Sequence, residues 1–101
     1  MSIAINAKLT IKPEFVDQAK ELLAKMVKPT NEEKGCISYV LVQDVLTPNI
    51  FYYIEEWESK QHLDDHIAAP HFVEILGTQI PPLLSQKMEV TISPIESQTR
   101  M

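Results

Sequence analysis

The sequence predicts an α+β domain with the element order β-α-β-β-α-β. Apolar and polar residues alternate with a period of two near both ends of the chain, which is typical of strands. A stripe of apolar residues at helical spacing follows the first strand, and two adjoining segments rich in β-branched and aromatic residues lie in the middle. This order is that of the split βαβ, or ferredoxin-like, fold with an antiparallel sheet.

The first strand and the first helix are predicted from the N-terminal part of the chain. Residues 3–11 alternate between apolar and polar side chains, as a strand with one buried face does. Pro13 suits the first turn of a helix, where its missing N–H has no partner in any case. Apolar residues then recur at helical steps up to Met26. Pro29 is expected to end this helix, because a proline disfavours the helical conformation of the residue before it.

The two central β-rich segments predict an antiparallel hairpin, and the remaining segments predict a divided helix and a last strand. The hairpin strands run from Cys36 to Val42 and from Phe51 to Trp57, with the turn signal Thr47-Pro48-Asn49 between them. Ser59 can cap a short helix, and Pro70 begins a further helical segment that ends at Pro81-Pro82. Residues 88–93 alternate as a final strand. One domain is therefore predicted over residues 1–95, followed by a loose tail over residues 96–101.

Both faces of the predicted sheet carry apolar side chains. Tyr52 and Ile54 point to one face of their strand, whereas Phe51 and Tyr53 point to the other. Helices can cover only one face of a sheet of this kind, so the other face needs a second cover. A homodimer that pairs the two sheets and closes them into an α+β barrel would supply that cover.

Composition and charge exclude several classes of protein. The net charge is −5 and the nine lysines and arginines are scattered, so a nucleic-acid partner is not expected. No apolar stretch approaches the roughly 20 residues of a membrane span, and the first residues do not resemble a signal peptide. The single cysteine cannot form an internal disulfide. A cytoplasmic location without membrane contact is therefore predicted.

Three motifs carry a resemblance to a known family. They are Glu33-x-Gly35-Cys36-x-x-Tyr39, Glu55-x-Trp57-x-Ser59 and Leu63-x-x-His66-x-x-x-x-His71-Phe72. On these residues the chain resembles the antibiotic biosynthesis monooxygenase family, which includes quinol monooxygenases and cofactor-free oxygenases. The resemblance implies a dimeric α+β barrel with a pocket in each subunit. It does not define a substrate, because one fold hosts several chemistries.

His66 is the leading candidate for the chemistry. If a short helix starts at Ser59, Leu63 and His66 lie three residues apart and can share a face that points toward the sheet. An imidazole titrates near neutral pH and can take a proton from a phenol or an enol. The electron-rich anion can then pass an electron to dioxygen without a flavin or a metal. A core histidine bonded to the backbone is the alternative interpretation.

Further residues are candidates for the pocket. Trp57 can stack on an aromatic substrate or fill the core. Asn6 can bind a substrate or orient dioxygen, or it can face solvent as an ordinary strand residue. Tyr39 and Tyr53 offer phenolic donors, and side-chain parity alone does not say which of them lines the pocket. The predicted catalytic residues are thus His66, Asn6 and Trp57, and the predicted substrate-binding residues are Tyr39, Tyr53, His71 and Phe72.

Metal and thiol chemistry are not expected. His62 and His66 have the helical spacing that can share a metal, but Pro70 interrupts the helix before His71 and no third ligand is evident. His62 is predicted to face solvent, and Cys36 is predicted to be a buried thiol without a chemical role.

Glu55 shares a strand face with Trp57, two residues further along. Its carboxylate could orient His66. Pairing with a lysine at the surface is the more common arrangement for such a residue, and that pairing is the prediction.

The motifs together predict a cofactor-independent monooxygenase that oxidises a small quinol or polyphenol with dioxygen. The sequence has no Gly-rich phosphate loop, so no cofactor is expected. Three alternatives stay open. An isomerase of a small phosphorylated signalling metabolite needs a cation near the pocket, and Lys8 shares a strand face with Asn6. Haem-degrading relatives use an Asn, Trp and His set, in which His66 or His71 would ligate iron. The last alternative is a non-catalytic ligand-binding dimer.

Overall fold

The computed structural model describes residues 2–96 and confirms the predicted order of the main elements. The strands are β1 (Ile3–Thr10), β2 (Cys36–Gln43), β3 (Ile50–Trp57) and β4 (Glu89–Pro94). They form one antiparallel sheet in the order β2-β3-β1-β4. The α-helices are α1 (Val16–Ala24), α2 (Val27–Asn31), α3 (Lys60–Ile67) and α4 (Pro70–Glu74). This is the predicted ferredoxin-like arrangement. The predicted tail lies, apart from Glu96, outside the described residues.

Short irregular helical turns join these elements. A 3₁₀ turn at Pro13–Phe15 leads into α1, a π-helical turn at Ile75–Gln79 continues α4, and a second 3₁₀ turn covers Pro81–Leu83. The second helix is therefore divided, as predicted, and Ala69 adopts an extended conformation before Pro70. No helix within residues 2–96 is both long enough and apolar enough to cross a membrane.

The predicted end of the first helix at Pro29 is wrong. The helix breaks earlier, after Ala24, and α2 begins at Val27 and runs through Pro29 to Asn31. Pro29 is the third residue of α2, so its missing N–H falls in the first turn, where N–H groups have no acceptor within the helix. The Asn31 side-chain amide donates to the Tyr39 carbonyl oxygen at 3.0 Å, which ties the end of α2 to β2.

The register of the sheet decides which residues meet on the helix-covered face. Ile5 pairs with Glu55 across β1 and β3, and Glu55 pairs with Tyr39 across β3 and β2. Paired residues share a face because side chains alternate along a strand. The buried members of this face are Ile5, Ala7, Leu9, Tyr39, Phe51, Tyr53, Glu55 and Trp57, and they pack against the buried helical residues Ala19, Leu23, Leu63 and His66.

The opposite face of the sheet carries no helix among the described elements. Tyr52 and Ile54 lie on this face, as their parity predicts, and Asn6 pairs with Ile54 across β1 and β3. Val40 and Ile54 leave 46% and 48% of their surface exposed. The predicted homodimer through this face stays a prediction.

The loop before β2 makes a close approach to α3. The Ser59 hydroxyl caps α3, accepting from the His62 N–H as predicted. Gly35 has φ +84°, and a Cβ at this position would collide with the ring of His62. The predicted solvent-facing position of His62 is therefore wrong. Its ring is partly buried over Gly35, and its Nδ1 lies 2.8 Å from the Ser59 hydroxyl.

Candidate active site

An apolar cavity lies between the sheet and the helices α3 and α4. Its volume is about 110 Å³, and the polar side chains in its lining are those of Tyr53, Glu55 and His66. The other lining residues are Ile5, Ala7, Leu63, Ile67, Phe72, Leu76, Met88, Val90 and Ile92. Three of these, Ile67, Val90 and Ile92, remain about half exposed, so the cavity has an apolar rim. The register of β4 with β1 brings Val90 and Ile92 to this side of the sheet.

His66 presents its imidazole to this cavity from α3. Leu63 and His66 share the buried face of the helix, as their spacing predicts, and His66 is 2% exposed. Its Nδ1 lies 2.6 Å from Oε2 of Glu33, while Nε2 makes no hydrogen bond to any residue in the described range 2–96. Burial lowers the pKa of His66, although the hydrogen bond and the charge of Glu33 act in the opposite direction. The alternative of a histidine bonded to backbone does not hold for this ring.

Glu33 holds His66 from a position two residues after the end of α2. Its Oε2 also lies 3.0 Å from Nε2 of His71, and that nitrogen is 3.2 Å from the hydroxyl of the buried Thr30. With Nδ1–H of His66 donating to the Glu33 carboxylate, Nε2 is left as the acceptor nitrogen of a ring that lines the cavity. The sequence prediction did not assign a role to Glu33. The one available signal was its place in the first family motif.

Trp57 lies behind the cavity, in contact with His66. The two ring centroids are 4.7 Å apart, and Trp57 is fully buried but does not line the cavity. Its indole N–H donates to Oε1 of Glu55 at 2.9 Å. Of the two alternatives for Trp57, the structure shows the core position. Contact between Trp57 and a substrate stays a prediction.

Glu55 does not pair with a surface lysine, and that prediction is wrong. Only 7% of the residue is exposed, and its side-chain partner is the indole of Trp57. Burial raises the pKa of Glu55 to about 7; the Trp57 hydrogen bond lowers it, and the nearby charge of Glu33 raises it. Glu33, rather than Glu55, is the carboxylate that orients His66.

The structure distinguishes the two tyrosines. Tyr39 and Tyr53 stack with ring centroids 4.7 Å apart, and Tyr53 is the one that lines the cavity. Its hydroxyl donates to the Leu23 carbonyl oxygen at 2.6 Å. Burial raises the pKa values of both phenols well above their usual range, so both stay protonated at neutral pH.

Phe72 and His71, the end of the third motif, take different positions. Phe72 lines the cavity, and its ring contacts that of His66 edge-on at 5.1 Å between centroids. His71 is not among the lining residues. It lies on the far side of Glu33, with its ring centroid 6.0 Å from that of His66.

Asn6 is not brought to this site within one chain. It is an exposed residue on the opposite face of the sheet, because its neighbours Ile5 and Ala7 occupy the helix-covered face. The next residue of β1, Ala7, lines the cavity instead. Lys8 shares the face of Asn6, as predicted, and lies 3.9 Å from Glu89. A catalytic role for Asn6 stays a prediction that this geometry does not support.

Two further predictions concern cysteine and metal ligands. Cys36 is partly rather than fully buried, and burial raises the pKa of its thiol to about 11, so it is no nucleophile at neutral pH. The ligand-type atoms of Glu33, His66 and His71 all lie within 4.8 Å of one another and could hold a metal. The sequence prediction considered His62 in the place of Glu33, and the structure separates His62 from this group.

The fold and this site define a small ferredoxin-like α+β protein with a histidine in the wall of an apolar cavity. A protein-family model described as antibiotic biosynthesis monooxygenase matches residues 2–77. The chain belongs to the antibiotic biosynthesis monooxygenase family.

Known relatives and solved structures are similar to this chain over most of its length. An uncharacterized protein of Synechocystis, sll1783, is 32% identical over 98 residues; the match covers 96% of this chain but only 66% of that relative. A conserved protein from Methanosarcina mazei Go1 is similar with a TM-score of 0.86 and 34% identity, covering 91% of this chain and 90% of that one. Rv0793 from Mycobacterium tuberculosis has a TM-score of 0.89 and 27% identity over 98% of this chain and 100% of its own.

A further crystal structure carries the name antibiotic biosynthesis monooxygenase. It is similar to this chain with a TM-score of 0.89 and 30% identity, covering 94% of this chain and 99% of that one. The fold is thus shared over nearly the full length of both chains.

Proposed function

We propose that the protein is a cofactor-independent monooxygenase that oxidises a single-ring quinol with dioxygen. The observation that carries this proposal is the apolar cavity lined by His66, whose Nδ1 Glu33 holds at 2.6 Å and whose Nε2 is left as an acceptor. Family membership and the name of the similar crystal structure support oxygenase chemistry. The lining residues support an aromatic substrate, because apolar and aromatic side chains fill most of the wall.

The size of the cavity supports a substrate with one ring. An apolar cavity of roughly 150 Å³ in another protein holds benzene. The cavity in this chain is smaller, about 110 Å³, and opens through an apolar rim, so it has room for no more than one ring, with the substituents at the mouth. A haem macrocycle is several times larger. The cavity therefore favours a quinol over the haem alternative.

In the proposed reaction His66 acts as a general base through Nε2. It takes a proton from one quinol hydroxyl, and the hydrogen bond from Nδ1 to Glu33 stabilises the resulting imidazolium. The electron-rich ring reduces dioxygen and forms a carbon–oxygen bond, which gives a ring hydroperoxide. The peroxide oxygen takes back the proton of His66 as this hydroperoxide forms. Neutral His66 then removes the hydrogen from the oxygenated carbon, and this proton joins the departing distal hydroxide, so that water leaves and the carbon becomes a carbonyl. Overall, quinol plus dioxygen gives hydroxyquinone plus water. This oxidation removes four electrons from the quinol, and dioxygen accepts all of them.

The isomerase alternative lacks the feature that would support it. A phosphorylated metabolite needs a cation at its binding site. Within residues 2–96 the cavity lining includes no lysine or arginine, and Lys8 lies on the opposite face of the sheet beside Glu89.

Oxygen uptake with a series of quinols tests the proposed activity. We expect uptake above autoxidation with single-ring quinols and a steep decline with fused two- and three-ring quinols, because the cavity holds one ring. The hydroxyquinone product should form in equal amount to the oxygen consumed, as measured by chromatography. Uptake that does not exceed autoxidation for any member of the series, or release of hydrogen peroxide in place of hydroxyquinone, would contradict the proposal.

The uncovered face of the sheet supports a further proposal, a homodimer formed through that face. Val40 and Ile54 expose nearly half of their surface there. Burying such apolar residues between two copies of the chain is favourable. A lysine in the middle of this face would oppose association, because its charge would have to be buried. We expect the wild-type protein to sediment as a dimer and Ile54→Lys as a monomer. The matched change Val45→Lys, at a residue 93% exposed in the hairpin turn, should leave the dimer intact. A wild-type monomer would contradict the proposal.

A further inference from the structure

We propose that Glu33, His66 and His71 form a binding site for a divalent transition metal of the zinc type. Their ligand atoms are Oε2 of Glu33, Nδ1 of His66 and Nε2 of His71, and these lie within 4.8 Å of one another. Two imidazoles and one carboxylate are a ligand set that zinc and its neighbours in the first transition row bind, with further positions open to water or substrate. The set differs from the cavity lining, since neither Glu33 nor His71 contributes to that lining.

The distances between the three ligand atoms suit a metal after small side-chain movements. The two contacts of Glu33 have to lengthen, and the nitrogen pair of His66 and His71, which lies within 4.8 Å, has to come to a similar spacing. Oε2 of Glu33 is 2.6 Å from Nδ1 of His66 and 3.0 Å from Nε2 of His71. Metal–ligand bonds of roughly 2.0 to 2.2 Å place neighbouring ligands of a tetrahedral site about 3.4 Å apart. The two contacts therefore have to lengthen by less than about 1 Å, which small rotations of the partly exposed Glu33 and His71 can supply.

Access and surroundings also fit a metal. The side chains of Glu33 and His71 are 17% and 22% exposed, so an ion can reach the group from solvent without passing through the cavity. The buried hydroxyl of Thr30 is 3.2 Å from Nε2 of His71 and can accept from a water on the metal. One carboxylate lowers the charge of a divalent ion without neutralising it, as in known catalytic zinc sites.

Metal binding at this group also affects catalysis, an effect that rests on the proposed function. A metal on Nδ1 of His66 takes the place of the proton that Glu33 accepts in the metal-free protein. The neutral ring then carries its proton on Nε2, so the nitrogen proposed as the base becomes a donor and cannot take a proton from the substrate. Zinc is therefore expected to inhibit the oxygenase rather than to assist it.

Metal titration of the full chain tests the site independently of activity. Trp57 is the single tryptophan and its ring lies 4.7 Å from that of His66, so Co²⁺ should quench its fluorescence and show visible ligand-field absorption. We expect Glu33→Gln and His71→Gln to weaken binding about tenfold or more, because each removes a ligand. The matched changes Glu32→Gln and His62→Gln, at the neighbouring exposed carboxylate and at the third histidine, should leave binding unchanged.

Two outcomes would overturn the inference of a metal site: no quenching or ligand-field band in the wild-type protein, or binding that is equally strong in Glu33→Gln and His71→Gln. The effect on catalysis is measured separately, as oxygen uptake with and without Zn²⁺ and after its removal by a chelator. Tight Zn²⁺ binding without inhibition would contradict the competition at His66 while leaving the site itself supported. If no quinol is oxidised, the proposed function fails and the Co²⁺ spectrum still decides the metal site.

Discussion

Replacing His66 by glutamine is expected to lower oxygen uptake with a single-ring quinol by about 10²- to 10⁴-fold, the usual contribution of a positioned general base. Glutamine has a similar size and can keep a hydrogen bond to Glu33, but its amide cannot accept the proton of the substrate. Because glutamine fills a similar space in the wall of the cavity, the variant should bind quinols with little change in KM. Initial rates of oxygen uptake over a range of quinol concentrations measure both quantities.

His62→Gln is the matched control for this experiment. His62 lies one turn earlier on α3, bonds to the Ser59 hydroxyl and does not line the cavity. Its replacement should leave kcat within about a factor of two of the wild type, since its ring bonds to Ser59 and has no part in the proposed mechanism. If His66→Gln kept a tenth or more of the wild-type kcat, His66 would not be the base.

Replacing Glu55 by glutamine is expected to remove a large part of the pH dependence of stability. The pKa of Glu55 is raised to about 7 in the folded protein by burial. An unfolded glutamate loses its proton near pH 4.5, so between that pH and 7 unfolding releases a proton and rising pH favours unfolding. The free energy of unfolding of the wild type should therefore fall by an amount on the order of 3 kcal/mol across this interval.

Glutamine at position 55 should avoid the free-energy cost of burying an ionised carboxylate. Its carbonyl oxygen can still accept from the Trp57 indole N–H, and it carries no charge to bury. Relative to the wild type, Glu55→Gln should gain little stability at pH 5 and about 2 to 3 kcal/mol at pH 8. Urea denaturation at several pH values measures this difference. Glu58→Gln, at an exposed position on the same chain segment, is the control. Parallel pH curves for the wild type and Glu55→Gln would contradict the prediction.

The order of the elements was predictable because it depends on local patterns. Alternation in β1 and β4, the hairpin between β2 and β3 and the cap at Ser59 all follow from residues close together in sequence. The wrong end at Pro29 has a local cause as well. A proline is compatible with the first turn of a new helix, and the break before it, after Ala24, has no strong signal in the sequence.

The candidate site was predictable in part. Leu63 and His66 share a buried helix face because their spacing requires it, and Tyr53 and Phe72 do line the cavity. Asn6 was predicted from its residue type, although the same alternation that identified the strand places it on the face opposite to Ile5. Strict use of that parity would have removed it from the site.

The order of strands and helices follows from the amino-acid sequence alone, and the family motifs name the residues from which a site is built. How those residues pair depends on the three-dimensional packing. Glu33 meets His66 and His71 across separations of 33 and 38 residues, and Glu55 turns inward to Trp57 instead of outward to a lysine. Local propensity cannot decide such contacts, because they depend on how α2 and α3 pack on the sheet and on which polar groups that packing removes from water.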